Sequence, residues 1–86
     1  MLKIQRNVHG SGVVLILSGR IDDESLPELE NTIKTEKQGV VLNLKDVSLA
    51  SREAVAFLVR CQEDGILTEN CPAYIREWIA KERERK

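Results

Sequence analysis

Little in this sequence belongs to the usual equipment of a catalyst or a metalloprotein. It has one histidine (His9), two prolines, three aromatic residues and two cysteines, Cys61 and Cys71. The cysteines stand ten residues apart with no second pair and no C-x-x-C, so zinc-type spacing is absent and they read as two free thiols. No G-x-S-x-G elbow, phosphate-binding GxxxxGK[ST] loop, dinucleotide GxGxxG or zinc-binding HExxH is present. His9 lies in the run His9-Gly10-Ser11-Gly12, with no carboxylate or nucleophile beside it, and reads as a solvated turn residue. The expectation is a protein that is not an enzyme and uses neither a cofactor nor a metal.

An excess of charge is missing too. Thirteen basic residues face fourteen acidic ones, so there is no overall field to gather nucleic acid or an anionic membrane. No apolar run approaches the ~20 residues that span a bilayer. The N-terminus carries no signal-peptide core. These features predict a cytoplasmic protein with no nucleic-acid partner and no membrane insertion. With 42% hydrophobic residues, chiefly Leu, Ile and Val, the chain can build a core, and no linker-like segment divides it. Residues 1–86 are expected to form a single domain ending in a charged helical tail from about residue 80.

What is present is organised around Gly39 to Gly65. Val40, Leu42 and Leu44 alternate with Val41 and Asn43, the period of a strand. From Ala54 the apolar residues recur at Ala54, Phe57, Leu58 and Cys61, with Val55 and Val59 alongside, the period of an amphipathic helix. Ser51 is placed to cap that helix, Glu53 to sit in its electropositive first turn, and Gly65 to end it.

The flanking segments complete an order β-β-α-β-α-β-α. Leu2 to Val8 alternates as an edge strand, the Gly-rich turn makes a hairpin, and Val13 to Leu17 is apolar throughout, as in a central strand. Asp22-Asp23-Glu24-Ser25 opens a helix with Pro27 in its first turn and Leu26, Leu29 and Ile33 on its buried stripe. The acidic cluster is read as helix-start chemistry rather than a cation site. Lys34 to Gln38 leads to the second central strand. Ile66 to Glu69 is the weakest strand candidate, and Asn70 or Cys71 is expected to cap a last helix with Pro72 in its first turn. On that helix Tyr74, Ile75, Trp78 and Ile79 form one sticky face. Lys81 to Lys86 reads as a solvated extension that frays. Right-handed crossovers predict a mixed α/β sheet in the order 1-2-3-4 with the helices mainly on one side. The other side would expose some of Val14, Ile16 and Val41.

Three segments carry a family resemblance. Asp46-Val47-Ser48-Leu49-Ala50-Ser51-Arg52-Glu53-Ala54 resembles the strand-to-helix junction of STAS domains, the anti-anti-sigma factor fold. That junction usually runs acidic, hydrophobic, Ser, large apolar, variable, then Asp-Ser-Ser/Thr-Gly. Leu17-Ser18-Gly19-Arg20-Ile21-Asp22 resembles the family's Leu-x-Gly-x-Leu-Asp. Asn70-Cys71-Pro72-Ala73-Tyr74-Ile75 resembles its Asn-x-x-Pro-x-Val. In order and spacing these cover nearly the whole chain.

The resemblance implies a non-enzymatic interaction module, an anti-sigma factor antagonist acting in transcription regulation by docking on an anti-sigma factor/serine kinase or another regulatory protein. In that family the Ser/Thr after Asp-Ser is phosphorylated by the partner, and the unphosphorylated form binds it. Here Ser51 takes the aspartate's place, Glu53 the phosphoacceptor's and Ala54 the glycine's, with Arg52 between Ser51 and Glu53. The acceptor hydroxyl is gone, and Glu53 supplies about one negative charge where a phosphate supplies about two. The phosphorylation site is thus expected to be degenerate, with Ser51 the remaining candidate. Ser48, Ser51, Arg52, Glu53, Ala56 and Glu63 are the expected partner-binding residues. Two other readings stay open: a small-molecule or nucleotide sensor using the N-termini of the first two helices as an anion site, and an oligomeric structural module. A homodimer is expected from the apolar positions of the two central strands and the Tyr74/Trp78 stripe.

Overall fold

The computed structural model describes residues 2–10, 12–36 and 39–84. The chain runs β1 (Leu2–His9), β2 (Gly12–Ile21), α1 (Leu26–Thr35), β3 (Gly39–Ala50), α2 (Arg52–Glu63), β4 (Leu67–Glu69) and α3 (Ala73–Glu84). Its one sheet has the order β1-β2-β3-β4, with β1 antiparallel to β2 and the other neighbours parallel. This is the expected small α/β architecture with a four-stranded mixed sheet and three helices. Ser11 of the hairpin turn, Lys37 and Gln38 of the lead into β3, and Arg85 and Lys86 of the tail lie outside the described residues.

Side-chain alternation decides which face is covered. Val13, Leu15 and Leu17 of β2 and Val40, Leu42 and Leu44 of β3 are buried, while Val14, Ile16, Val41 and Asn43 between them are only half-buried. The buried set packs with Leu29 of α1, with Ala54, Val55, Phe57, Leu58, Val59 and Cys61 of α2, and with Ile75 and Ile79 of α3. All three helices therefore share one side of the sheet. Each wholly buried Leu or Ile removed from water contributes about 1.5–3 kcal/mol, so this single cluster carries the fold.

Both central strands run further than their hydrophobic period suggests. β2 continues to Ile21 and β3 to Ala50, paired as Ser18↔Asp46, Gly19↔Val47, Arg20↔Leu49 and Ile21↔Ala50. The register shifts twice, between Ile16 and Ser18 and between Gly19 and Arg20, each time with one extra residue on β3. Burial along β3 consequently passes from alternation to every third residue: Leu44, Val47 and Ala50 point inward, with two exposed residues between each. Gly19, opposite the second bulge, has φ +92°.

The helix ends follow local chemistry. α2 closes in a Schellman motif, with Gly65 at φ +88°, its N–H donating to the Gln62 carbonyl at 3.1 Å and the Ile66 N–H to the Cys61 carbonyl at 2.9 Å. At α1 the Ser25 hydroxyl gives no cap. It donates instead to the Asp22 carboxylate at 2.7 Å, which also accepts the Ser25 N–H at 3.0 Å. The start of α3 differs from expectation. The helix begins at Ala73, and it is the Pro72 carbonyl that accepts the Ile75 and Arg76 N–H groups, at 3.1 and 3.0 Å. Asn70 sits outside the helix in a left-handed conformation, φ 54°, which turns the chain from β4 toward α3. The charged segment from Lys81 continues α3 to Glu84.

Candidate functional site at the junction of β3 and α2

The end of β3 and the start of α2 are built as one rigid corner. Ala50 is buried, and the Ser51 N–H donates to the Ile21 carbonyl at 2.9 Å, so the corner is pinned to the last residue of β2. Ser51 has extended backbone (φ −71°, ψ 167°), its carbonyl accepts the Val55 N–H at 2.9 Å, and its Oγ accepts the Ala54 N–H at 3.1 Å. The same hydroxyl donates to Asp23 Oδ1 at 2.7 Å. Its proton and one of its lone pairs are therefore both committed. Asp23 belongs to the acidic run before α1, so the corner also ties α1 to α2.

Beyond that lock the junction presents charge. Arg52 and Glu53 are exposed in the first turn of α2, and neither side chain makes a hydrogen bond or ion pair among the described residues. Ser48 and Leu49 are exposed on the last bulge of β3. Of the six residues expected at the site, the structure gathers Ser48, Ser51, Arg52 and Glu53 at this corner. Ala56, half-buried, and Glu63, exposed, lie on the same outward line of α2 as Arg52, but Glu63 is about 16 Å along the axis at 1.5 Å per residue. Arg60 falls on this outward face too, its guanidinium 5.8 Å from the centre of the Phe57 ring.

Two contributors were hidden in the sequence. Asp23 reads there as helix-start chemistry, and nothing local in its own run signals a partner 28 residues away. Tyr74 reads as part of an apolar stripe, yet it is 37% exposed and its hydroxyl is shared by the backbone carbonyls of Val47, at 3.1 Å, and Ser48. β4 pairs only with Val41 to Asn43, so the far half of β3 has no strand on that side, and the Tyr74 hydroxyl ties α3 to the backbone there. The expected sticky face of α3 thus divides. Ile75 and Ile79 enter the core, whereas Trp78, 42% exposed, lines an open groove with Val55, Arg52, Lys81, Glu82 and Glu84 beside the junction.

The remaining reactive groups sit elsewhere. Cys61 is a buried free thiol on the core side of α2, its pKa pushed up to about 11 mainly by burial, and burial likewise raises that of the half-buried Cys71. Among the described residues no group of three or more His, Cys, Asp or Glu side chains is arranged to hold a metal ion. No helix there is long and apolar enough to cross a membrane.

Comparison with known proteins adds to the fold. No family model matches the chain, and no curated protein matches it. Among solved structures it is similar to one described as "Crystal Structure Analysis of Mglu", with 27% identity and a TM-score of 0.61 over 80% of this chain. The match spans only 19% of the length of that structure, so a unit of this size and arrangement occurs there within a larger chain.

Proposed function

We propose that the protein is a STAS-like, non-enzymatic docking module that binds a regulatory protein through Ser48 to Glu53 and the outward face of α2. The observation that carries the reading is the locked Ser51 hydroxyl beside the unpaired Arg52 and Glu53. A surface that holds the Ser51 hydroxyl rigid and leaves two opposite charges without internal partners is suited to recognition rather than to nucleophilic chemistry. The resemblance of Asp46 to Ala54 to the STAS junction supplies the class of partner, an anti-sigma factor of the serine-kinase type or a regulatory complex using the same fold. With Glu53 in the acceptor position, docking here is independent of phosphorylation at that position.

The geometry weighs against the sensor reading. An anion held by the α2 N-terminus would meet the Asp23 carboxylate, already 2.7 Å from Ser51 Oγ, and one at the α1 N-terminus would meet Asp22, which takes the Ser25 N–H and hydroxyl. Titration of isotope-labelled protein with a kinase-type anti-sigma factor tests the proposal. Amide resonances of Ser48, Arg52, Glu53 and Ala56 should shift while those of β1 stay in place. Sub-micromolar binding of ATP or GTP by the chain alone would replace docking with sensing.

A further inference from the structure

The helix-free face of the sheet has its own pattern, independent of the junction. Its central row runs across all four strands as Asn7, Val14, Val41 and Leu67, and the next as Gln5, Ile16, Asn43 and Glu69. Leu67 is 66% exposed, and Leu49, on the same face beside Arg20, is 43% exposed. Three aliphatic side chains, Val14, Ile16 and Val41, thus meet at the centre of an uncovered face, and Leu67 extends the patch onto the edge strand β4. The Tyr74/Trp78 stripe belongs to the helical layer on the other side and cannot share an interface with them.

Charge is distributed unevenly around this apolar centre. The β1–β2 half carries the exposed cations Lys3 and Arg20, while the β3–β4 half carries the exposed carboxylates Asp46 and Glu69, with Lys45 beside Asp46 in the first bulge. No ion pair among the described residues joins Lys3, Arg20, Asp46 or Glu69. Basic on one side and acidic on the other is the arrangement a self-complementary surface needs, because a two-fold axis exchanges the halves.

We propose that this face is the docking surface for a second copy of the chain, with a two-fold axis running parallel to the strands between two facing sheets. That axis lays β1 over the partner's β4 and β2 over the partner's β3. Val14 of each copy then rests on Val41 of the other, Lys3 comes within reach of the opposing Glu69, and Arg20 of the opposing Asp46. An axis perpendicular to the strands would set β1 over β1 and bring Lys3 to the same edge as its own copy, losing the charge pairing. Three strands at least eight residues long and the three-residue β4, about 4.8 Å apart, present roughly 440 Å² per copy, below the ~800 Å² of a standard specific interface. The dimer is accordingly reversible, with dissociation in the micromolar range rather than obligate.

Sedimentation equilibrium over a concentration series tests this with the chain as it stands. The wild type should show a monomer–dimer equilibrium, and methyl resonances of Val14, Ile16, Val41 and Leu67 should move together on dilution. Leu67→Asp, at a side chain exposed enough to spare the fold, should weaken association about tenfold. Lys3→Glu and Glu69→Lys should each weaken it several-fold, and the double variant should recover most of the loss. A monomer at every concentration, or a dimer indifferent to Leu67→Asp, overturns the surface. A double variant as weak as the poorer single overturns the two-fold arrangement.

Discussion

The Ser51 hydroxyl donates to the Asp23 carboxylate at 2.7 Å while accepting the Ala54 N–H at 3.1 Å, so one side chain closes α2 and joins it to the run that precedes α1. The capping half of this arrangement is readable from a serine before a helical period. The other half exists only because pairing of β2 with β3 continues to Ile21 and Ala50, which brings the two segments after those strands side by side.

Ser51→Ala removes the cap and the bond to Asp23 together and should cost about 1–2 kcal/mol of stability in urea unfolding. Asp23→Ala leaves the cap in place and should cost less. The double variant should fall short of the sum of the singles, since both remove the same bond. Strict additivity would show that Ser51 and Asp23 do not act as a pair.

Phosphorylation by a serine kinase of the anti-sigma type should not occur at the position held by Glu53, which has no hydroxyl. At Ser51 a phosphate would abolish the donor to Asp23 and set a dianion against that carboxylate, a like-charge contact that opposes what the helix dipole would gain. Mass spectrometry after incubation with such a kinase should find Ser51 and Ser48 unmodified. Stoichiometric phosphate on Ser51 would restore the switch that the sequence change removes.

How much of this could be read from the chain depends on where local periodicity survives. The core of β3, the six buried positions of α2, its serine cap and its glycine stop follow simple periods, and the sheet order follows from right-handed crossovers. The ends of β2 and β3 escaped because two bulges turn a period of two into a period of three, so that Val47 and Ala50 look unpatterned. The start of α3 shifted to Ala73 because Asn70 takes a left-handed turn conformation rather than a cap. At the candidate site, Arg52 and Glu53 were legible as exposed first-turn residues, whereas Asp23 and Tyr74 act across 28 and 26 or more residues of chain. No local pattern encodes such pairs.

Tyr74→Phe keeps the ring and deletes only the hydroxyl shared by the Val47 and Ser48 carbonyls. It should destabilise the fold by about 1 kcal/mol and speed amide exchange at the end of β3 more than elsewhere. Unchanged exchange there would mean water serves those carbonyls equally well.

Acid should weaken the fold through two carboxylates whose pKa values lie below their ordinary range. Asp22 is lowered chiefly by the Ser25 hydroxyl bond, and Glu36 by its bond with Arg6, at 2.7 and 3.2 Å. A carboxylate with a depressed folded-state pKa contributes stability that is complete above its unfolded value and is lost as pH falls through the folded one. Stability should therefore decline on acidification below the ordinary Asp/Glu range, and Ser25→Ala with Arg6→Gln should flatten that decline. Arg6 is exposed and Asp22 and Glu36 are only partly covered, so the effect is small and should shrink in high salt.

Docking through the β3–α2 junction is tested most directly by measuring the affinity of a kinase-type anti-sigma factor for the wild type and for Glu53→Ala, alongside thermal melts of both. If the junction is read by the partner, Glu53→Ala weakens binding about tenfold or more while stability changes by no more than the ~0.3–1 kcal/mol of a first-turn acid. Binding of both proteins with equal affinity, or a change confined to stability, would leave Glu53 a helix-start residue and place the partner elsewhere.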